Sequence, residues 1–190
     1  MGRFGINTEK AYGISMPNIR KVARKYRHNH ELALSLWETG IHEARIAAAL
    51  MDDPKKVTQT QMEKWVKDFN SWDLCDQCCG NLFDRTPYAH KKAVEWCKKE
   101  KEFVKRAGFA LMAWLAVHDK KADNKKLSSF FPLIEKGSDD DRNFVKKAVN
   151  WALRQIGKRN SVLNSPRHSN CRENQGTKYP SRPLDCLRCT

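Results

Sequence analysis

No stretch of the chain approaches the ~18 uninterrupted apolar residues of a membrane span, so none of its 190 residues offers a transmembrane helix. The first ten residues, Met1 to Lys10, hold no apolar segment of the ~7–15 residues that a secretory signal needs. A cytoplasmic protein with reduced thiols is the expectation. The seven cysteines are odd in number and irregularly spaced, which argues against a disulfide scaffold. H-E-x-x-H, P-loop, G-x-G-x-x-G and G-x-S-x-G motifs are all missing, leaving nucleotide hydrolysis and serine hydrolysis without support. Acid is in short supply: 22 Asp and Glu face 36 Lys and Arg, for a net charge of +14. Such a surplus exceeds the needs of solubility, and its commonest uses are attraction to nucleic acid or to an anionic membrane surface.

Hydrophobic residues make up 40% and charged residues 31% of the chain, which is enough apolar material for the core of one domain. From Pro17 to Lys158 the pattern is a succession of helical segments broken at Gly40, Asp52-Asp53-Pro54, Thr86-Pro87, Gly137 and Ser138, with no convincing strand alternation. Thr86-Pro87 reads as an N-cap followed by proline at the first helical position, and Ser138 to Asp141 places acid at the positive end of the next helix. The fold class is all-α. Phe103-Val104-Lys105-Arg106-Ala107 recurs 41 residues later as Phe144-Val145-Lys146-Lys147-Ala148, a period that suits a solenoid of HEAT-like helical pairs. A further echo, Lys91 to Trp96 against Lys146 to Trp151, is offset by 55 and fits shared amphipathic demands equally well.

Residues 1–160 form the expected domain. From Ser161 the helical period stops, three prolines appear, and 161–190 read as a disordered or aberrant tail, such as a shifted reading frame would produce. With five Lys and Arg and two acids, the tail accounts for +3, so +11 belongs to the helical body.

The helix starting near Ser71 has an apolar arc of Leu74, Cys75, Cys78, Cys79, Leu82 and Phe83, with Trp72 and Asp76 one turn apart at its edge. Asp76 thus borders the core, either as a functional carboxylate or as a boundary acid pairing with a lysine. In the helix from about Asp141 to Lys158 the core arc is Val145, Ala148, Val149, Ala152 and Ile156. Trp151 falls outside that arc, among Lys147, Arg154 and Lys158. This pattern suits a phosphate-tracking surface with an aromatic contact, and equally a tryptophan packed on a neighbouring helix. Phe103 to Val117 is apolar nearly all round and should be the most buried helix. Its Arg106 needs an anion, either a phosphate or a carboxylate of the next repeat. Cys75, Cys78 and Cys79 with Cys186 and Cys189 have the count for a zinc site, but the first three lie on an apolar arc and read as buried thiols, so no metal is expected.

Taken together, Gly13 to Arg20, Trp72 to Asp76, Phe103 to Arg106 and Phe144 to Arg154 resemble the DNA alkylation repair family of AlkD-type HEAT-like repeat glycosylases, over roughly Tyr12 to Asn160. The resemblance implies a basic solenoid that binds duplex DNA and excises N3- or N7-alkylated purines, without flipping the base, as a monomer and with no cofactor. Asp76 then matches the catalytic carboxylate, Trp72 and Trp151 the aromatics touching the deoxyribose, and Arg106 the arginine of the cleft. Lys105, Lys147, Arg154 and Lys158 are the candidate DNA-binding cations. The chain begins close to the Gly13–Arg20 motif, so the N-terminal helices of longer members are expected to be shortened. The alternatives are a non-catalytic relative that binds damaged or branched DNA, and a scaffold for acidic proteins.

Overall fold

Several helices begin where the sequence can satisfy or dispense with the first N–H groups. In the computed structural model, which describes residues 1–165, α1 (Met16–Lys25) carries Pro17 in its first turn. Side chains cap α2 (His30–Glu38), α4 (Gln59–Lys67) and α8 (Asn124–Ser128): Asn29 accepts from the N–H of Leu32, Thr58 from Gln61 and Asp123 from Lys126. The remaining helices are α3 (His42–Met51), α5 (Trp72–Asn81), α6 (Ala89–Trp96), α7 (Glu102–His118), α9 (Phe131–Gly137) and α10 (Asn143–Gly157). The described residues contain no strand, and none of their helices is long and apolar enough to cross a membrane.

The helices stack in two rows. In the inner row α3 packs on α5, α5 on α7 and α7 on α10, while α2, α6 and α9 back α3, α7 and α10. Inner helices run parallel: the thiols of Cys75 and Cys79 donate to the carbonyls of Phe103 and Ala107, and Phe103 and Trp114 meet Phe144 and Trp151. Phe103 and Phe144 are the second residues of α7 and α10, so the 41-residue repeat is a structural equivalence. The 55-residue echo is not, because it equates outer α6 with inner α10. Outer helices are joined through an aromatic column, in which Trp37 of α2 stacks flat on Trp65 of α4 at 3.9 Å. Phe83 links that pair to Trp96 of α6. The indoles of Trp37 and Trp96 donate to Asp68 and Glu63, so neither buried N–H is left unpaired.

Helix α7 is the central element. Eleven of its 17 residues are buried, as its sequence predicts, because it has neighbours on every side. The arcs predicted for α5 and α10 are likewise buried throughout.

Some details differ from the sequence reading. Helix α6 starts at Ala89 rather than at Pro87, and the Thr86 hydroxyl closes the preceding turn by donating to the Phe83 carbonyl. No acid lies in the first turn of α10, whose acids precede it. The described fold also runs past Asn160 to Ser165. Leu163 is buried, and its N–H is held by the Asn160 side chain, so the first five residues assigned to the tail belong to the body. Residues 166–190 lie outside the described residues.

Close packing of α6 on α7 needs Gly108. A Cβ there would stand 2.3 Å from the backbone nitrogen of Cys97 and 2.7 Å from its Cα, and backbone cannot turn aside as a side chain can. Gly108→Ala is expected to lower stability by at least about 1–3 kcal/mol in urea unfolding, whereas Gly2→Ala, which meets nothing within 4 Å, leaves it unchanged. Equal stabilities would refute this account of the contact.

Candidate functional site

Parallel stacking brings the edge of α5 against the edge of α7. One turn into α5, Asp76 accepts two hydrogen bonds from Arg106, Nε to Oδ1 at 3.0 Å and Nη2 to Oδ2 at 2.7 Å. The third guanidinium nitrogen, Nη1, donates to the Phe144 carbonyl of α10 at 2.6 Å. A single side chain on α7 therefore ties three inner helices together. The Asp76 side chain keeps 17% of its surface exposed and that of Arg106 only 7%. Burial pushes the Asp76 carboxyl above its usual range, and the adjacent guanidinium only partly offsets this. Of the two anions considered for Arg106, the structure supplies a carboxylate, from the preceding inner helix rather than from the next repeat.

Asp73 points the other way, toward α3. Burial would raise its pKa, but the surrounding donors, foremost His42, whose Nε2 lies 2.9 Å from Oδ2, together hold the carboxyl below its usual range. On the same helix Glu43 accepts the N–H groups of Tyr12, Gly13 and Ile14 at 3.0, 2.7 and 3.2 Å. The start of the Gly13–Arg20 segment is thus anchored by a buried acid.

Trp72 stands half-exposed at the start of α5, and its indole N–H donates to the Phe4 carbonyl at 2.8 Å. The neighbouring Gly5 is pressed onto the Phe144 ring. The N-terminal turn therefore bridges Trp72 on α5 and Phe144 on α10, beside the Asp76–Arg106 pair, with the Phe4 ring 59% exposed. The sequence carried no sign of this contact, which spans 68 residues.

Trp151 reaches the same region from α10. One face packs edge-on against Trp114 of α7, with ring centroids 5.3 Å apart. Trp114 in turn lies against Gly80, one turn beyond Asp76, where a Cβ would come within 2.2 Å of the indole. Trp72 and Trp151 thus flank the pair from opposite ends, and Trp114 is an aromatic of the patch that the sequence reading passed over as core. The remaining surface of Trp151 lies on the open face of α10, among Lys146, Lys147, Arg154 and Lys158. Among the described residues no ion pair engages Lys147, Arg154 or Lys158, whereas Lys146 lies 3.6 Å from Asp141. Trp151 thus packs on a neighbouring helix and keeps the rest of its surface among these cations.

Lys105 is engaged within the fold. Its Nζ lies 2.8 Å from Asp140 Oδ2, an oxygen that Arg142 also binds at 2.6 Å. Arg142 first and then Lys105 hold the Asp140 carboxyl well below its usual range. Lys105 therefore braces α7 against the approach to α10. Cys75, Cys78, Cys79 and Cys97 are buried free thiols. No group of three or more His, Cys, Asp or Glu suited to a metal ion occurs among the described residues, and Cys186 and Cys189 lie outside them.

Fold and site together define a HEAT-like helical-repeat protein with a carboxylate–guanidinium pair set between aromatic side chains and a basic helix face. The chain belongs to the family of DNA alkylation repair enzymes, whose sequence profile matches residues 1–165. It is similar to the uncharacterized protein Lin0241 of Listeria innocua serovar 6a, with 28% identity over 103 residues, 53% of this chain and 46% of that protein. Lmo0209 of Listeria monocytogenes serovar 1/2a is 26% identical over the same shares. The chain spans about half the length of these relatives. A solved structure, described as a new family of proteins related to the HEAT-like repeat DNA glycosylases with affinity for branched DNA structures, superposes with a TM-score of 0.79 at 18% identity, over 97% of this chain and 83% of that one.

Arg106→Gln would leave the Asp76 carboxylate half-enclosed without its counter-charge. A loss of about 3–5 kcal/mol at neutral pH is expected. Without the guanidinium, the folded-state pKa of Asp76 rises further above its unfolded value, so the folded state takes up the proton more readily and the deficit shrinks as pH falls. Urea unfolding at two pH values checks this, and a deficit that grew on acidification would contradict it.

Proposed function

We propose that the protein is a DNA glycosylase that hydrolyses the N-glycosidic bond of N3- or N7-alkylated purines in duplex DNA. The observation that carries this reading is the Asp76 carboxylate, fixed in orientation by Arg106, between Trp72 and the Trp114–Trp151 pair and next to an unpaired basic face. Alkylation at N3 or N7 makes the purine cationic, so it departs as a neutral base, taking the electron pair of the C1′–N9 bond. Positive charge then grows on the sugar. A preoriented carboxylate stabilises that charge. Each of its oxygens has a lone-pair direction beyond the one given to Arg106, free to align the attacking water. The water oxygen bonds to C1′ and its proton leaves through Asp76 to solvent. Indole faces add attraction for the cationic sugar of about 0.5–2 kcal/mol each. Lys147, Arg154 and Lys158 would hold backbone phosphates, giving a salt-dependent affinity.

A second reading is binding of branched DNA without excision. It is favoured by the bidentate Arg106 contact, which places a positive charge on the carboxylate where a sugar cation would form. The affinity for branched DNA described for the structural neighbour agrees with it.

Release of 7-methylguanine and 3-methyladenine from methylated duplex DNA separates the two. Release is expected from the wild type, falling about 10²–10³-fold in Asp76→Asn with DNA binding retained. Because only ionised Asp76 stabilises the cation and burial raises its pKa, the rate should climb with pH through a midpoint above the usual carboxylate range. A folded wild type that binds a four-way junction but releases no base would establish the second reading.

A further inference from the structure

The seam between α5 and α7 has a four-residue rhythm. Asp76, Gly80 and Asp84 succeed one another on one side, the last in the turn just past α5, and Arg106, Ala110, Trp114 and His118 on the other. Asp76 meets Arg106, Gly80 meets Trp114, and Asp84 meets His118. The seam therefore holds a second acid–base pair, which the mechanism above leaves unused. The Asp84 side chain is fully enclosed and its Oδ2 is hydrogen-bonded to Nδ1 of His118, whose own side chain is 38% exposed. Asp84 Oδ1 has no other partner. Burial raises the Asp84 carboxyl, and the His118 contact only partly offsets this. The imidazole is also stacked on Trp114, at 4.9 Å between centroids and 28° between planes.

With Nδ1 taken, Nε2 is the free nitrogen of the ring, and no partner meets it among the described residues. The other charged groups nearby are engaged or lie to the side. Arg85 adjoins Asp84, Asp119 Oδ2 is held by His90 and Lys126, and Arg159 donates to the carbonyls of Ala116 and Asp119 at the end of α7. The Arg159 bonds and the Trp114–Trp151 contact bring Arg154 and Lys158 of α10 to the same end of the seam as His118.

The geometry points to His118 as a backbone-phosphate contact for bound DNA, oriented by Asp84 and Trp114 and engaged in its imidazolium form. This rests on the DNA-binding part of the function proposed above. A neutral ring whose Nδ1–H donates a hydrogen bond to Asp84 presents only an acceptor at Nε2, which repels phosphate oxygens, whereas the protonated ring donates from both nitrogens. The phosphate track thus extends from the basic face of α10 onto the end of α7, and the added contact is made only by the protonated ring.

The test is fluorescence anisotropy with an undamaged DNA duplex at about pH 6 and about pH 8 over a series of salt concentrations. For the wild type, affinity should rise about 3–10-fold at the lower pH, and the slope of log K against log salt should steepen by about 0.9, the value for one phosphate contact. His118→Gln should lose both changes while matching the wild type at the higher pH, with its fold verified by circular dichroism. His118→Lys should show the steeper slope at both pH values, a rescue that a merely structural histidine would not give. If His118→Gln keeps the wild-type gain, or the wild type shows none, the assignment of His118 falls while DNA binding stands. A folded wild type that binds no DNA at either pH would overturn both.

Discussion

The guanidinium of Arg106 is the point on which the inner row turns. A buried cation must find an anion and fill its remaining donors, and Arg106 does so by reaching Asp76 on α5 and the Phe144 carbonyl on α10 at once. That requirement fixes the relative height of three parallel helices. Apolar packing around α7 supplies most of the attraction, yet it tolerates sliding, because small residues such as Ala107, Ala110 and Ala113 leave a smooth surface. A hydrophobic pair of equal volume would hold the helices as firmly as the ion pair does. Stability alone therefore gives no reason for a carboxylate at position 76, and the partial exposure of that carboxylate supplies one.

The surplus of positive charge becomes intelligible from where the acids are. Asp52 takes bonds from Gln61 and the His30 ring, Asp73 pairs with His42, Asp76 with Arg106, and Asp140 with Lys105 and Arg142. Each ties one helix or loop to another, so negative charge is drawn into the seams and matched there. What remains at the surface is disproportionately basic, and on α10 it is concentrated beside Trp151. A field of one sign over an open face attracts polyanions and speeds their encounter.

How much of this the sequence disclosed depended on the range of the interaction. Features set by spacing along one helix were legible: the arcs of α5 and α10, the burial of α7, the 41-residue equivalence of Phe103 and Phe144, and the placement of Trp151 among cations. Pairings between helices were not. The Lys105–Asp140 bridge spans 35 residues and the Trp72–Phe4 bond 68, and no helical periodicity reports such contacts. Arg106 was legible as a residue needing an anion, but naming Asp76 as that anion required the register of α5 against α7. Trp114 was hidden for a related reason. On a helix apolar all round, nothing local separates an indole in the core from one at the rim, and only the absence of a side chain at Gly80 lets it lie there. The start of α6 was misplaced because Thr86 has the chemistry of a cap, but its hydroxyl donates to the Phe83 carbonyl and caps no N–H of α6, which begins three residues later.

The character of the α10 surface follows from the same physics. An inner helix that expected another apolar layer over its open face would present a second hydrophobic stripe, as α7 does. Instead that face of α10 carries Lys146, Lys147, Arg154 and Lys158 around a single tryptophan. Covering it with an apolar helix would strand Lys147, Arg154 and Lys158 away from water without a partner at prohibitive cost, so whatever covers them must bring negative charge. Trp151 sets a second condition, since an exposed indole face is satisfied by a flat or cationic group rather than by a bare anion. A chain of phosphates carrying sugars and bases would meet both conditions at once, which agrees with the function proposed above.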